Sequence, residues 1–413
     1  MLYEVESRFL GVNPEPVSVM PFNAKRNNRF IMISLAILSI FCVLDFFYGR
    51  TMFLQSIQIS IFFQKIKLYY LQIILSYVYF PSLMIYFFVI FFLRKNRIEA
   101  CYLLFCFFAV MWTQCILKLI KLDSRPSFES TELQSGGFFC ENDYGSPSGH
   151  SILTATLTPF VIDDLDRNRT RISSLFKFLL CGLSWYFVGM SRIWFGVHSY
   201  NQVIGGLLWG TTLYLLLRGL KPYAINWFFK LLIQEEETEE ERFSDLERSV
   251  VIRKTSLQTQ NQFLLRFFLV LLFFNAPLIT LYLSARPFED LNYPFFQRIV
   301  NCRETISTIF TGFSTKIYVQ GSFVNFFIFL MLGAKLSHFD FFKGTWYSFD
   351  NNKWTLFLKL SFTLLVLAFL TLVFEPKSES SFEYVLKASM IFPLFGFLMG
   401  KYLISLTNSL GGI

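Results

Sequence analysis

Long apolar runs alternate along the chain with short polar or charged clusters. Ten runs stand out, at 30–48, 70–93, 100–120, 151–162, 176–190, 203–217, 263–283, 323–333, 356–374 and 384–406. Each is near the roughly 20 residues that a helix needs to cross the hydrocarbon core of a bilayer, with 151–162 and 323–333 short. Segment 53–67 is also apolar but is interrupted by Gln55, Gln58, Gln64 and Lys65, a pattern that predicts an interfacial helix and not a span. The predicted fold class is all-α, a polytopic membrane helical bundle.

Basic clusters set an orientation. Lys25, Arg26 and Arg29 precede the first run. Arg94, Lys95 and Arg97 follow the second, Arg167, Arg169 and Arg171 the fourth, and Arg218 and Lys221 the sixth. With all of these on the cytosolic side the runs alternate. Asn168-Arg169-Thr170 is a glycosylation sequon that this topology places in the cytosol, where it would go unread. The first run is expected to act as an uncleaved signal anchor. Between Gln234 and Lys254 the chain is strongly charged and reads as a cytosolic linker or short surface helix. The expected organisation is an N-terminal cytosolic segment (1–29), a first transmembrane domain (30–222), a charged linker (223–257) and a C-terminal bundle of about four helices (258–413).

Composition agrees with a membrane chain. Of 413 residues, 54% are hydrophobic, 54 are Phe and 16% are charged, against about a quarter charged in soluble domains. The net charge of +8 comes from cations at run ends and not from a basic stripe, so no nucleic-acid partner is expected. Five of the seven cysteines (Cys42, Cys101, Cys106, Cys115 and Cys181) lie in apolar runs, as buried thiols do. Cys140 and Cys302 fall in loops on one side, where a disulfide is open to form if that side is oxidising. His338, beside Asp340, reads as an interfacial histidine.

The candidate chemistry lies in three stretches, each at a span boundary: KLIKLDSRP (118–126), PSGH (147–150) and SRIWFGVHSYNQ (191–202). The orientation drawn from charges outside these stretches brings all three out on the non-cytosolic side. Cleaving a phosphate ester needs cations around the equatorial oxygens, an in-line nucleophile and a proton for the leaving oxygen. Lys118, Arg125 and Arg192 supply charge. Ser148 and the Gly149 amide precede an apolar run, where a helix N-terminus favours an anion. His150 is placed to donate the proton. His198 is the better nucleophile candidate, forming a phosphohistidine that water hydrolyses. Gln202, four residues on, shares its helix face and can fix its tautomer. Asn201 is a less well-oriented neighbour. Asp143 reads as a solvated loop aspartate, with a substitute carboxylate as the other reading. No cofactor and no metal are called for.

These residues resemble the type 2 phosphatidic acid phosphatase (PAP2) superfamily, whose pattern is KX6RP, PSGH and SRX5HX3D. The matching positions are Lys118, Arg125 and Pro126; Pro147 to His150; and Ser191, Arg192 and His198. The resemblance covers about residues 30–220. It implies a core of about six helices, a metal-independent phosphohistidine mechanism, His198 as nucleophile, His150 as acid, and Lys118, Arg125, Ser148, Gly149 and Arg192 as phosphate holders. Gln202 departs from the usual Asp. Glucose-6-phosphatases and dolichyl-diphosphate phosphatases also carry Gln there, and the segment from Cys140 to His150 resembles the former. That likeness implies an endoplasmic reticulum membrane with a lumenal site.

The expected activity is hydrolysis of a phosphate ester, whether a lipid phosphate, an isoprenyl diphosphate or glucose 6-phosphate. The alternatives are a phospholipid or sphingolipid headgroup transferase, and a catalytically weakened membrane partner, which Gln202 motivates. A vanadium haloperoxidase shares the site geometry but is expected to be soluble. The expected partners are the lipid bilayer and the substrate, and the oligomeric state is left open.

Overall fold

The computed structural model describes residues 24–65, 82–83, 85–87, 97–130, 132–133, 143–168, 173–224, 245–291, 313–336 and 381–399. Among these the elements are helices, with no strand: α1 (Ala24–Lys65), α2 (Arg97–Lys121), the one-turn α3 (Pro126–Glu129), α4 (Gly149–Asn168), α5 (Ser174–Trp194), α6 (Tyr200–Ala224), α7 (Asp245–Leu291), α8 (Phe313–Ser322), α9 (Val324–Leu336) and α10 (Ser381–Leu398). The all-α expectation holds. Most of run 70–93, all of 356–374, and Cys140, Cys302, His338, Arg169 and Thr170 lie outside the described residues.

Among the described residues, six helical segments are long and apolar enough to cross a membrane: Asn28–Lys65, Glu99–Glu129, Ser174–Trp194, Tyr200–Ala224, Leu264–Pro287 and Phe313–Gly333. This corrects the sequence reading at two places. Segment 53–67 is not a separate interfacial helix, because α1 runs unbroken for 42 residues, about 63 Å at 1.5 Å per residue. The eighth run starts ten residues earlier than expected, since α8 and α9 together form the crossing segment. Run 151–162 is helical but is not among the six. Its threonines dilute its apolar character and are buried inside the bundle, as where Thr156 Oγ1 donates to Ile152 O (2.9 Å) and Gly210 O (2.8 Å). In addition, α7 begins at Asp245, so the last 13 residues of the expected linker, 245–257, are helical.

The core is built around α2, which packs against α4 and α6 on one side and α7, α8 and α9 on the other. Its crossing segment is 61% buried and that of α8–α9 is 78% buried, against 6% for α1. Phe108 of α2 meets Phe323, Phe326 and Phe327 at centroid distances of 5.7, 5.9 and 5.9 Å. Residues on the two sides of 225–244 therefore share one hydrophobic cluster. Exposed aromatics such as Phe46, Phe178 and Phe273 form an outer surface suited to lipid and not to water.

Helices α4 and α6 approach most closely at Gly210. A Cβ there would stand 2.5 Å from Ile152 O and 2.7 Å from Ala155 Cβ, so only glycine lets the two backbones meet. Their contact brings the N-termini of α4 and α6 together with the C-terminal end of α2, where the three motifs lie. The opposite end of the bundle is closed by other charges. Lys221 pairs with Glu99 (2.5 Å), Tyr214 donates to Asp163 (2.7 Å) and Tyr86 donates to Asp164 (2.8 Å). Arg218 and Lys221, two of the orienting cations, thus sit at the end away from the motifs.

Candidate functional site

After Lys121 the chain reverses through Leu122 in the left-handed region (φ 51°). It then enters α3 at Pro126, with Arg125 extended as the preceding residue. Proline at the first helical position has its φ preset and no N–H to lose, so the Arg-Pro pair fixes where the guanidinium emerges. Arg125 Nε donates to Asp143 O (2.8 Å), and Nη1 donates to Val197 O (2.9 Å) and lies 3.2 Å from His198 Nε2. Nη2 pairs with Asp143 Oδ1. Lys118 Nζ donates to the other oxygen, Oδ2, at 2.5 Å.

The PSGH turn starts α4. Ser148 O accepts from Ile152 N–H (3.0 Å), which makes Ser148 the cap, and Gly149 is the first helical residue. Helix geometry leaves the first-turn N–H groups without an intrahelical acceptor. The Ser148 N–H itself is committed to Gln202 O (3.0 Å), tying the turn to α6. The Ser148 hydroxyl accepts from Ser151 Oγ (3.0 Å).

The third motif spans the end of α5 and the start of α6. Gly196 turns the chain at φ 69°, a conformation in which a side chain is strained. The N–H groups of Val197 and His198 both return to Arg192 O at 3.3 Å. The α1 helix clamps this loop: Ser60 Oγ donates to Ile193 O, Gln64 Nε2 to Phe195 O (3.2 Å), and Ser56 Oγ accepts from Tyr200 N–H (2.8 Å). The sequence reading took the polar breaks of 53–67 as an interfacial face. Of those breaks Gln64 reaches the histidine loop, whereas Gln55, Gln58 and Lys65 are exposed; the buried contacts to the loop come from Ser56 and Ser60.

Gln202 is held at both ends of its amide. Nε2 donates to Ser124 O (2.7 Å), while Oε1 accepts from Ser199 N–H (3.2 Å) and lies 3.3 Å from His198 Nδ1. Because a carbonyl can only accept, Ser124 O fixes which end of the amide faces the imidazole. Nδ1 is then the protonated nitrogen, and Nε2 presents its lone pair beside Arg125. Asn201 faces elsewhere, donating to Asp45 (2.9 Å) and accepting from Ser199 Oγ.

The structure gathers all eight candidate residues at one end of the bundle. Lys118 (3% exposed), Arg125 (0%), Arg192 (2%), His198 (1%), Gln202 (1%), Ser148 and Gly149 are buried, and His150 alone of the eight is partly exposed. Asp143 is the correction. It is not solvated but buried, and it bridges Lys118 and Arg125. Its loop position gave no sign of this. Two other contributors were missed. Ser124 acts through its main chain, which no side-chain motif reveals. Gln114 lies one turn before Lys118, and its buried Oε1 has no hydrogen-bond partner and sits 2.6 Å from where a Cβ on Gly149 would stand.

Burial and the charges of Arg125, Arg192 and Lys118 push His198 well below its ordinary range, so it is neutral at pH 7. His150, ahead of run 151–162, is pushed down to about 4 by burial and by Lys118 and Arg125. Asp143 is held well below the usual carboxylate range, since burial is outweighed by Arg125, Lys118 and Lys316. Among the described residues no group of three His, Cys, Asp or Glu side chains gathers to hold a metal ion.

Residues 99–225, which carry all eight candidate residues, match the family model of the PAP2 superfamily. The chain is also 32% identical over 81 residues to phosphatidylglycerophosphatase B of Bacillus subtilis (strain 168), covering 19% of this chain. The chain spans about 40% of the length of that curated relative. No solved structure matches the chain.

Proposed function

We propose that this protein is an integral membrane phosphatase that hydrolyses the terminal phosphate of a lipid through a phosphohistidine on His198. The observation that carries the reading is the Ser124–Gln202–His198 relay. It leaves Nε2 unprotonated beside the buried Arg125, while His150 occupies the side of the site that opens to the surroundings. A nucleophile deep among cations and an acid at the opening are the arrangement in-line phosphoryl transfer requires. The match to a phosphatidylglycerophosphatase and the apolar outer surface support a lipid over a sugar phosphate as substrate.

The phosphoryl group binds between Lys118, Arg125, Arg192, Ser148 and the first-turn amides of α4. His198 Nε2 attacks phosphorus as the bond to the ester oxygen breaks, and His150 delivers its proton to that oxygen. The alcohol departs through the open side. A water then enters, gives a proton to His150 and attacks the phosphohistidine, which releases inorganic phosphate and restores both imidazoles. His198 keeps its Nδ1 proton on Gln202 throughout. A bound phosphate counters the charge of Lys118 and Arg125, which raises His150 from about 4 toward the range where an acid is protonated at working pH. The reaction as written needs no metal.

The test is trapping of radiolabel by an alkaline denaturing quench on wild type and His198→Ala after mixing with labelled phosphatidylglycerophosphate. Acid-labile, base-stable label on wild type alone supports the mechanism. Phosphate release with no trapped label, or label on the His198→Ala protein, overturns the nucleophile.

A further inference from the structure

We propose that the Asp143 carboxylate is an internal counter-anion at the edge of the phosphoryl position. Substrate must displace it from Lys118 and Arg125, and Lys316 of α8 receives it. This makes Asp143 a specificity-determining residue: it admits dianionic terminal phosphates and rejects the singly charged phosphodiesters that fill a membrane surface. The inference rests on the phosphatase reading above.

The geometry leads there directly. The guanidinium of Arg125 offers neighbouring nitrogens to two groups, Nη1 to His198 Nε2 and Nη2 to Asp143. A phosphorus placed for attack by Nε2 therefore has its oxygens on donors that the carboxylate already uses. Lys118 completes the overlap, because its ammonium is bonded to the other carboxylate oxygen at 2.5 Å. Both cations are buried, and a buried cation without an anion is strongly unfavourable. Asp143 thus satisfies the pair until a phosphate takes its place. Carboxylate and phosphate present the same paired oxygens to an Arg fork, so the exchange preserves the donor geometry. A dianion gains one charge in the exchange, whereas a diester trades one negative charge for another and gains nothing.

The displaced carboxylate has a second partner nearby. Phe313, the first residue of α8, stacks on Phe128 (5.6 Å, 13°) and meets the edge of Tyr144 (5.4 Å, 75°). Tyr144 directly follows Asp143, so the first turn of α8 abuts this segment. Lys316 is three residues on, one turn along the same face, and its charge already bears on Asp143. The C-terminal half of the chain thereby contributes a cation to a site whose motifs all lie in residues 118–202.

The experiment uses full-length protein in detergent, with thermal unfolding read against inorganic phosphate and against dimethyl phosphate at pH 7.5. Wild type is expected to be stabilised by phosphate and not by dimethyl phosphate. Asp143→Asn should unfold at lower temperature without phosphate, bind phosphate about tenfold tighter, and respond to dimethyl phosphate. A residue that merely braces the loop would lower the unfolding temperature without tightening phosphate. Folded Asp143→Asn that binds phosphate no tighter than wild type overturns the proposal. Lys316→Gln leaves the Lys118–Asp143–Arg125 bridge intact and covers the case where Asp143→Asn does not fold. Phosphate binding should weaken severalfold in it, and unchanged binding overturns the exchange. Binding is read without turnover, so the two claims fail separately. Phosphate binding of this pattern with no ester cleaved would sink the phosphatase reading alone, and cleavage without tighter binding in Asp143→Asn would sink this one alone.

Discussion

At the scale of the residue, the orientation of a single amide decides the chemistry. Gln202 stands where most of the superfamily has Asp, and a carboxylate has no donor for Ser124 O. Gln202→Glu puts an oxygen against that carbonyl, which costs one hydrogen bond and adds a repulsion. We expect kcat to fall by about tenfold or more, on the scale of a lost buried hydrogen bond. Wild-type kcat in steady-state assays would refute this. The charge environment makes a second prediction. An imidazole at the ordinary value of about 6.5 is roughly ten-to-one protonated at pH 5.5. His198 is depressed by burial and three cations, so it stays neutral, and between pH 7 and 5.5 kcat/KM should fall only as far as the substrate's own second phosphate ionisation, near 6, removes the dianion. A fall steeper than the substrate's ionisation that disappears in a His150 variant would be assigned to the acid, and one that persists would contradict the depressed nucleophile. The motif side chains were legible in the sequence because each is a rare type at a span boundary. Asp143 and Ser124 were not. One depends on a fold-level encounter between a loop and two buried cations, and the other acts through a carbonyl that every residue possesses.

At the scale of the element, the site depends on how near two helices come. Gly210 lets α4 and α6 touch, and the same contact sets the separation of the N-termini that carry His150 and His198. Gly210→Val places two methyl groups where Ile152 O and Ala155 already stand. Overpacking of this kind costs about 1–3 kcal/mol, to be read as lower thermal stability in detergent, with activity lost in parallel. Unchanged stability would show that the pair can spread freely. The helices themselves were legible from apolar runs, but two of their properties were not. The sequence broke α1 at its glutamines, but exposed Gln55 and Gln58 sit on the outer face of a helix that continues through them. It began the α8–α9 segment late because Phe313 to Ser322 is mixed in polarity, and its Ser and Thr side chains are nonetheless buried.

At the scale of the whole molecule, the C-terminal half stands against the motif-bearing half and not beside it. One hydrophobic cluster runs through α2 into α7, α8 and α9, and Phe313 seals the segment that holds Asp143. Phe313→Ala removes both ring contacts to that segment. We expect it to impair activity severalfold while the motifs remain intact, and wild-type turnover would separate the two halves functionally. Activity should survive EDTA, because the proposed phosphate site is built from Lys, Arg and amide groups, and strong inhibition reversed by an added divalent ion would require a different mechanism. Apolar patterning alone could not reveal this union, since it marks helices and leaves their partners unspecified.

The most direct measurement is inorganic phosphate release by detergent-purified wild type and His198→Ala, with EDTA present, against phosphatidylglycerophosphate, phosphatidate, a polyprenyl diphosphate and glucose 6-phosphate. Release from a lipid phosphate by wild type alone is the predicted result. Equal release by His198→Ala, or no release from any of the four by folded wild type, would contradict the account.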